Sequence, residues 1–154
     1  LMQDLSHNIS IGNSIINAVK TTGANGSAVD LQGFEEATAI VTVGAEGDTL
    51  SGSLYFTVAL QHSDDNSSWS NAAQADIVNG TIAADGIWLK LDGTTGGDPD
   101  TTGGEWQVGY VGGKRYVRLV LAKSGTHSTG TPISGVVVKS RPRSAPVSNV
   151  IHNA

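Results

Sequence analysis

The sequence predicts an all-β domain: an antiparallel β-sandwich or jelly roll of about seven or eight short strands with extended terminal arms. Three observations lead to this fold class. The chain has 20 glycines in 154 residues, and only 15% of its residues are charged, so its backbone is interrupted by many turns and its surface is polar but weakly charged. Two segments have apolar residues at every second position. No stretch combines helical periodicity with an N-cap and the length of a helix.

The clearest strands are Leu54–His62 and Tyr116–Lys123. Successive side chains of a strand point to opposite faces, so a period of two marks a strand with one buried face. The buried faces are predicted to carry Leu54, Phe56, Val58 and Leu60 in the first strand and Val117, Leu119 and Leu121 in the second.

The other strands are shorter or less regular. In chain order they are predicted at Ile15–Lys20, Ala37–Val43, Ile87–Leu91, Glu105–Val111 and Ile133–Lys139, with weaker candidates at Val29–Leu31 and Asp76–Val78. Asn25-Gly26 indicates a turn after the first strand, and Gly112-Gly113 predicts a tight hairpin before Tyr116.

These strands divide the chain into three parts. Residues 1–24 form an N-terminal arm and the first strand, residues 25–140 form the sandwich, and residues 141–154 form an extended tail. Pro142 and Pro146 disfavour a helix in that tail, because proline lacks an amide donor. The stretch Asp92–Gly104 is predicted to be a long exposed loop that does not pack and is mobile unless a partner orders it.

Charge is distributed unevenly along the chain. Residues 1–105 hold all 14 acidic residues, whereas residues 106–154 hold seven of the nine basic residues and no acid. Either strands from both regions interleave and the asymmetry averages out in space, or the C-terminal region presents a basic surface to an acidic partner. A net charge of −5 disfavours direct nucleic-acid binding. No apolar run approaches the ~18 residues of a membrane span, so no membrane contact is expected.

The sequence has no recognisable catalytic or metal-binding set. It contains no cysteine, and its four histidines do not occur in a metal-binding spacing. The acidic segment His62–Ser68 is either a calcium loop or a turn, and a turn explains its Asp and Asn residues sufficiently; His62 itself is interpreted as a polar strand end. No nucleophile elbow, P-loop or dinucleotide fingerprint occurs. We therefore expect no catalytic residue, metal or cofactor, and no enzymatic activity.

The three tryptophans allow two interpretations. Trp69, Trp88 and Trp106 could form a platform on which sugars stack, or they could pack in a core or a protein interface. Trp88 is predicted to face away from Ile87 and Leu89 and hence outward. The candidate interface residues are Ile15, Ile16, Trp88, Trp106, Lys139, Arg141 and Arg143.

Three stretches carry a resemblance to known proteins: Ala28–Phe34 (AVDLQGF), Leu60–Asp65 (LQHSDD) before Trp69, and Gly109–Arg118 (GYVGGKRYVR). They resemble motifs of small all-β virion proteins of tailed bacteriophages, over about residues 25–146. In that group the genes commonly neighbour the gene for the major head protein, which implies a virion component. No active site accompanies the resemblance.

The resemblance implies a head decoration (cement) or minor capsid protein, made in the bacterial cytoplasm and located on the capsid exterior. Its expected partners are the major capsid protein and copies of itself, and a homo-oligomer such as a trimer would suit the threefold sites of a shell. The alternatives are a head–tail or tail component and, from another class, a carbohydrate-binding module for host attachment.

Overall fold

The computed structural model describes residues 2–147, which form a sandwich of two antiparallel sheets and confirm the all-β prediction. The strands of this part of the chain are β1 Ile9–Lys20, β2 Ala24–Asn25, β3 Val29–Asp30, β4 Phe34–Val43, β5 Tyr55–Ser63, β6 Ser70–Asn71, β7 Ile77–Val78, β8 Ile87–Leu91, β9 Gly104–Tyr110, β10 Tyr116–Ser124 and β11 Thr131–Pro142. Sheet A has the order β1-β11-β4-β9-β7. Sheet B has the order β2-β10-β5-β6, with β3 also paired to β10 and β8 to β5.

The core lies between the sheets, where the alternating residues of the long strands meet. Phe56, Val58 and Leu60 of β5 are fully buried, as the period of two predicts, and so are Val117 and Leu119 of β10. Sheet A contributes Val41, Val108, Ile133 and Val137 from its central strands. The two sheets approach closely at Gly135, where an added Cβ would lie 2.6 Å from a methyl carbon of Leu119.

The first strand is longer than predicted. β1 begins at Ile9 instead of Ile15, because the backbone of Ile9 to Asn13 pairs in register with β11 from Ser140 to Val136. The N-terminal arm is correspondingly short, with one 3-10 turn over Ser6–Asn8. At the C-terminal end of the described residues, the Val147 amide donates to the His7 carbonyl at 2.8 Å. Residues 148–154 of the predicted tail lie outside the described residues.

The predicted hairpin at Gly112-Gly113 is wrong. β9 pairs with β4 and β7 in sheet A, whereas β10 pairs with β5 in sheet B. The connecting residues 111–115 therefore carry the chain across the sandwich, a step of about 10 Å between packed sheets. A glycine pair permits either path, and the partners of the flanking strands decide between them.

His62 is part of the core, which corrects the interpretation as a polar strand end. It is 7% exposed, and its Nδ1 lies 3.0 Å from the hydroxyl of Tyr110 on the opposite sheet. The same hydroxyl accepts the Lys114 amide at 3.2 Å, so it is placed to donate its own proton to Nδ1. Burial lowers the pKa of His62, which favours the neutral imidazole in this link between the sheets.

The stretch from Asp92 to Gly104 is exposed over most of its length, as predicted, but hydrogen bonds within the chain hold it in place, and Gly97 and Pro99 are buried. Its aspartates accept hydrogen bonds from backbone amides two residues ahead, as in Asp92 with Thr94 at 3.2 Å and Asp100 with Thr102 at 2.7 Å. The Trp106 indole donates to the Gly96 carbonyl at 2.7 Å. Short-range Asp turns and one tryptophan thus replace the apolar contacts that this sequence lacks.

Candidate functional site

The outer side of sheet A carries an unusual set of side chains. Buried residues alternate with outward ones on β4 and β11, whereas the bulged strand β1 buries two adjacent residues, Ser14 and Ile15. The outward positions of the three strands hold mainly aliphatic and β-branched residues. We call this surface the apolar face and define it by Ile11, Ile16 and Val19 of β1, Ile40 of β4, and Pro132, Val136 and Val138 of β11.

The strand register places these residues side by side. Ile11 lies opposite Val138, and Val136 lies opposite Ile40. Directly opposed residues of an antiparallel pair point to the same face, with Cβ atoms about 5 Å apart. Thr38 lies opposite Val138 and continues the first pair, and Asn13 lies opposite Val136 and continues the second. Both are uncharged polar residues. Apolar side chains of the face thus adjoin one another across three strands, and the uncharged hydroxyl pair Ser134 and Thr42 lies between Val136 and Pro132.

The apolar residues of β1 are strongly exposed: Ile11 is 62%, Ile16 64% and Val19 59% accessible. An antiparallel sheet with one solvated side normally alternates apolar inward with polar outward residues. The outward charged residues of sheet A lie towards its two ends, Glu36 with its partner Arg141 at one end and Glu105 at the other. An uncharged centre with a polar or charged rim is the composition typical of a protein interface.

Of the interface residues predicted from the sequence, only Ile16 lies on the apolar face. Ile15 is 2% exposed and packs in the core, so the prediction that it contacts a partner is wrong. Successive residues of a strand point to opposite faces, so Ile16 is turned outward where Ile15 is turned into the core. Trp88 and Trp106 are half-buried and pack against the core. Trp88 was expected to face outward, but its side chain is only partly exposed.

The basic candidates are engaged within the chain. The Lys139 ammonium donates to the Asp30 carbonyl at 3.2 Å and lies 4.8 Å from the Phe34 ring centroid. Burial lowers the pKa of Lys139. Arg141 pairs with Glu36 at 3.4 Å, and Arg143 pairs with Glu35 at 2.5 Å.

Further pairs join the acidic and basic regions of the sequence. Arg115 binds Asp30 at 2.8 Å, and Lys114 binds Asp64 at 2.8 Å. Each pair connects an acid from residues 1–105 with a base from residues 106–154. The geometry thus favours the interpretation in which the charge asymmetry averages out in space.

The tryptophans have separate partners. The Arg118 guanidinium lies 4.4 Å from the Trp69 ring centroid, whereas Trp106 bonds to Gly96. Trp88 packs near Gly80, where an added Cβ would lie 3.3 Å from its indole nitrogen. Three rings with three different neighbourhoods give no support to a shared sugar-stacking platform.

The acidic segment after β5 is a turn, as its composition predicts. The Asp65 carboxylate accepts the Ser67 amide at 2.9 Å and the Ser68 amide at 2.7 Å, and these bonds lower the pKa of Asp65. Over residues 2–147, no three His, Asp or Glu side chains are grouped as metal ligands. The same residues contain no helix with the length and apolar character needed to cross a membrane.

Comparison with known proteins finds only distant similarity. No protein-family model matches the chain, and neither does any curated protein. Among solved structures, the SPBc2 prophage-derived protein YomS is similar at 16% identity and a TM-score of 0.40, covering 85% of this chain and 93% of that one. The CBM22-1–GH10 modules of Clostridium thermocellum endo-1,4-β-D-xylanase 10B, complexed with xylohexaose, are similar at 13% identity and a TM-score of 0.41. That match covers 96% of this chain and 27% of the xylanase chain.

Proposed function

We propose that this chain is a non-enzymatic structural protein of a tailed-phage virion, and that it decorates the head by binding the capsid shell through the apolar face. The motif resemblance suggests the virion. The observation that carries a binding role is the apolar face itself, a charge-free surface on the solvent side of sheet A. Contiguous exposed apolar surface on a soluble domain marks an interaction site, because leaving it in water has a free-energy cost.

The proposed mechanism is stabilisation by binding energy. A protein that binds the assembled shell and not the separate subunits shifts the equilibrium towards assembly by mass action. The apolar face supplies the desolvated contact, at about 25 cal/mol for each Å² of apolar surface removed from water. The paired arginines play no part in this mechanism, so an acidic patch on the capsid is not required.

The proposal can be tested with heads of the encoding phage that lack this protein. We expect purified protein added to such heads to bind saturably, on the order of hundreds of copies per head, and to raise their resistance to heat. Quantitative mass spectrometry of the washed particles gives the copy number. Binding of about a dozen copies or fewer would place the protein on the portal axis or tail, and no binding to any virion part would contradict the proposal.

A further inference from the structure

The chain contains two asparagine–glycine pairs, Asn25-Gly26 and Asn79-Gly80. Glycine has no Cβ, so its backbone nitrogen can approach the side-chain amide of the preceding asparagine with little hindrance. In both pairs the asparagine is exposed and the glycine is half-buried. Accessibility therefore does not distinguish the two pairs, and a difference in their reactivity has to come from the hydrogen bonds of the backbone.

The first pair is held in sheet B. Asn25 belongs to β2 and lies opposite Val120 of β10. The Gly26 amide donates to the Leu119 carbonyl at 2.8 Å, and an added Cβ at Gly26 would lie 2.5 Å from the hydroxyl oxygen of Ser14. A donated hydrogen bond opposes loss of the amide proton, so the nitrogen that could attack the Asn25 side chain is protected.

The second pair lies in the turn after β7. Asn79 has a φ of 60°, a left-handed conformation that asparagine tolerates better than most residues. Within residues 2–147, neither the Gly80 amide nor the Asn79 side chain has a hydrogen-bond partner. The Gln74 side chain donates to the Gly80 carbonyl at 3.0 Å and accepts the Ile82 amide at 2.8 Å. The peptide link between Asn79 and Gly80 is thus unbonded inside a turn that is otherwise fixed.

We propose that Asn79 is a site of spontaneous covalent modification, at which the amide is converted to aspartate and isoaspartate. The reacting groups are the exposed side-chain amide of Asn79 and the unbonded backbone nitrogen of Gly80. The same reaction at Asn25 is suppressed by the hydrogen bond from Gly26 to Leu119. The proposal concerns neither the apolar face nor the capsid, so it is independent of the proposed function.

The reaction needs only water and a base. The Gly80 nitrogen loses its proton to hydroxide and attacks Cγ of Asn79, so that an N–Cγ bond forms, the Cγ–Nδ2 bond breaks, and ammonia leaves with a proton from solvent. Water then opens the cyclic imide. Attack at Cγ gives aspartate in the normal backbone, whereas attack at the main-chain carbonyl gives isoaspartate, in which the backbone runs through Cγ. No oxidant or reductant takes part, and either product adds one negative charge.

Ageing of the unmodified protein at mildly alkaline pH tests the proposal. Samples are digested with pepsin in acid, which slows the reaction, and tandem mass spectrometry measures the converted fraction at each asparagine. We expect Asn79 to be converted at least about tenfold faster than Asn25, because the Gly26 amide reacts only after a local opening that breaks its hydrogen bond and the pairing of β2.

The same measurement in concentrated urea separates the effect of the fold from that of the neighbouring sequence. The two rates are expected to become similar there, since neither pair keeps its backbone hydrogen bonds. Equal rates in the folded protein, or a faster reaction at Asn25, would overturn the proposal. A difference that persists undiminished in urea would overturn it too, because the neighbouring residues would then decide the rates.

Two variants give a second readout. Asn79→Gly removes the reacting side chain and keeps a residue that accepts a positive φ, and Asn25→Ala is the matched control in the other pair. We expect Asn79→Gly to abolish most of the acidic species that ion-exchange chromatography detects after ageing, and Asn25→Ala to leave its amount unchanged. An undiminished acidic species in Asn79→Gly would contradict the assignment of the site.

Discussion

The double variant Ile11→Asp/Val19→Asp is expected to bind phage heads at least about 100-fold more weakly than the unchanged protein. Both side chains protrude from β1 at the apolar face and are 62% and 59% exposed. Central residues of an interface each contribute roughly 2 kcal/mol or more, and about 1.4 kcal/mol corresponds to a tenfold change in affinity. Two buried carboxylates add a desolvation cost to the lost contacts.

A matched control carries the same added charge on the other side of the molecule. Asn25→Asp/Ala122→Asp places two carboxylates at exposed positions of sheet B. We expect this control to bind heads within about threefold of the unchanged protein, since surface substitutions away from an interface have small effects. Urea unfolding of both variants checks that the fold is intact. Equal loss of binding in the two variants would mean that net charge, and not the apolar face, controls attachment.

Phe56→Ala is expected to lower the free energy of unfolding by about 3–5 kcal/mol. Phe56 is fully buried in β5, and its ring packs on the His127 ring with centroids 4.0 Å apart. A domain of this size has a total stability of roughly 5–15 kcal/mol, so the variant should be close to its unfolding threshold.

Tyr55→Ala is the matched control for this prediction, because Tyr55 precedes Phe56 and points to the opposite face of β5. Its ring lies outside the core, 4.3 Å from the Lys90 ammonium. We expect it to cost about 1 kcal/mol or less, as is usual for substitutions outside the core. Urea denaturation gives both values. Similar losses for the two variants would contradict the assignment of inward and outward faces in β5.

The periodic parts of the fold could be predicted from the sequence. Alternation in β5 and β10 specifies which residues are buried, because a strand has only two faces. The path of the chain between strands could not be predicted in the same way. Gly112-Gly113 fits a hairpin and a crossing between sheets equally well, and only the pairing of β9 with β4 distinguishes them. Likewise, β1 extends to Ile9 because β11 pairs with it from more than 110 residues away.

The candidate site was largely missed, although the sequence contains a signal for it. Val136-Val137-Val138 is a run of three apolar residues in a strand, so it cannot place all of them on one side. Val137 is 1% exposed, which leaves its two neighbours pointing outward. The basic residues Lys139, Arg141 and Arg143 are the more evident candidates in the sequence, because the groups that engage them, the Asp30 carbonyl, Glu36 and Glu35, are more than 100 positions away.

Hydroxyl-radical footprinting of the protein, free and bound to heads, tests directly whether the apolar face is the docking surface. This method measures the oxidation of each accessible side chain. Bound protein is expected to show strong protection of Ile11, Ile16 and Val19, while Trp69, which precedes β6 of sheet B, is oxidised as in the free protein. Protection of Trp69 together with unchanged oxidation of the three β1 residues would contradict the proposed docking surface.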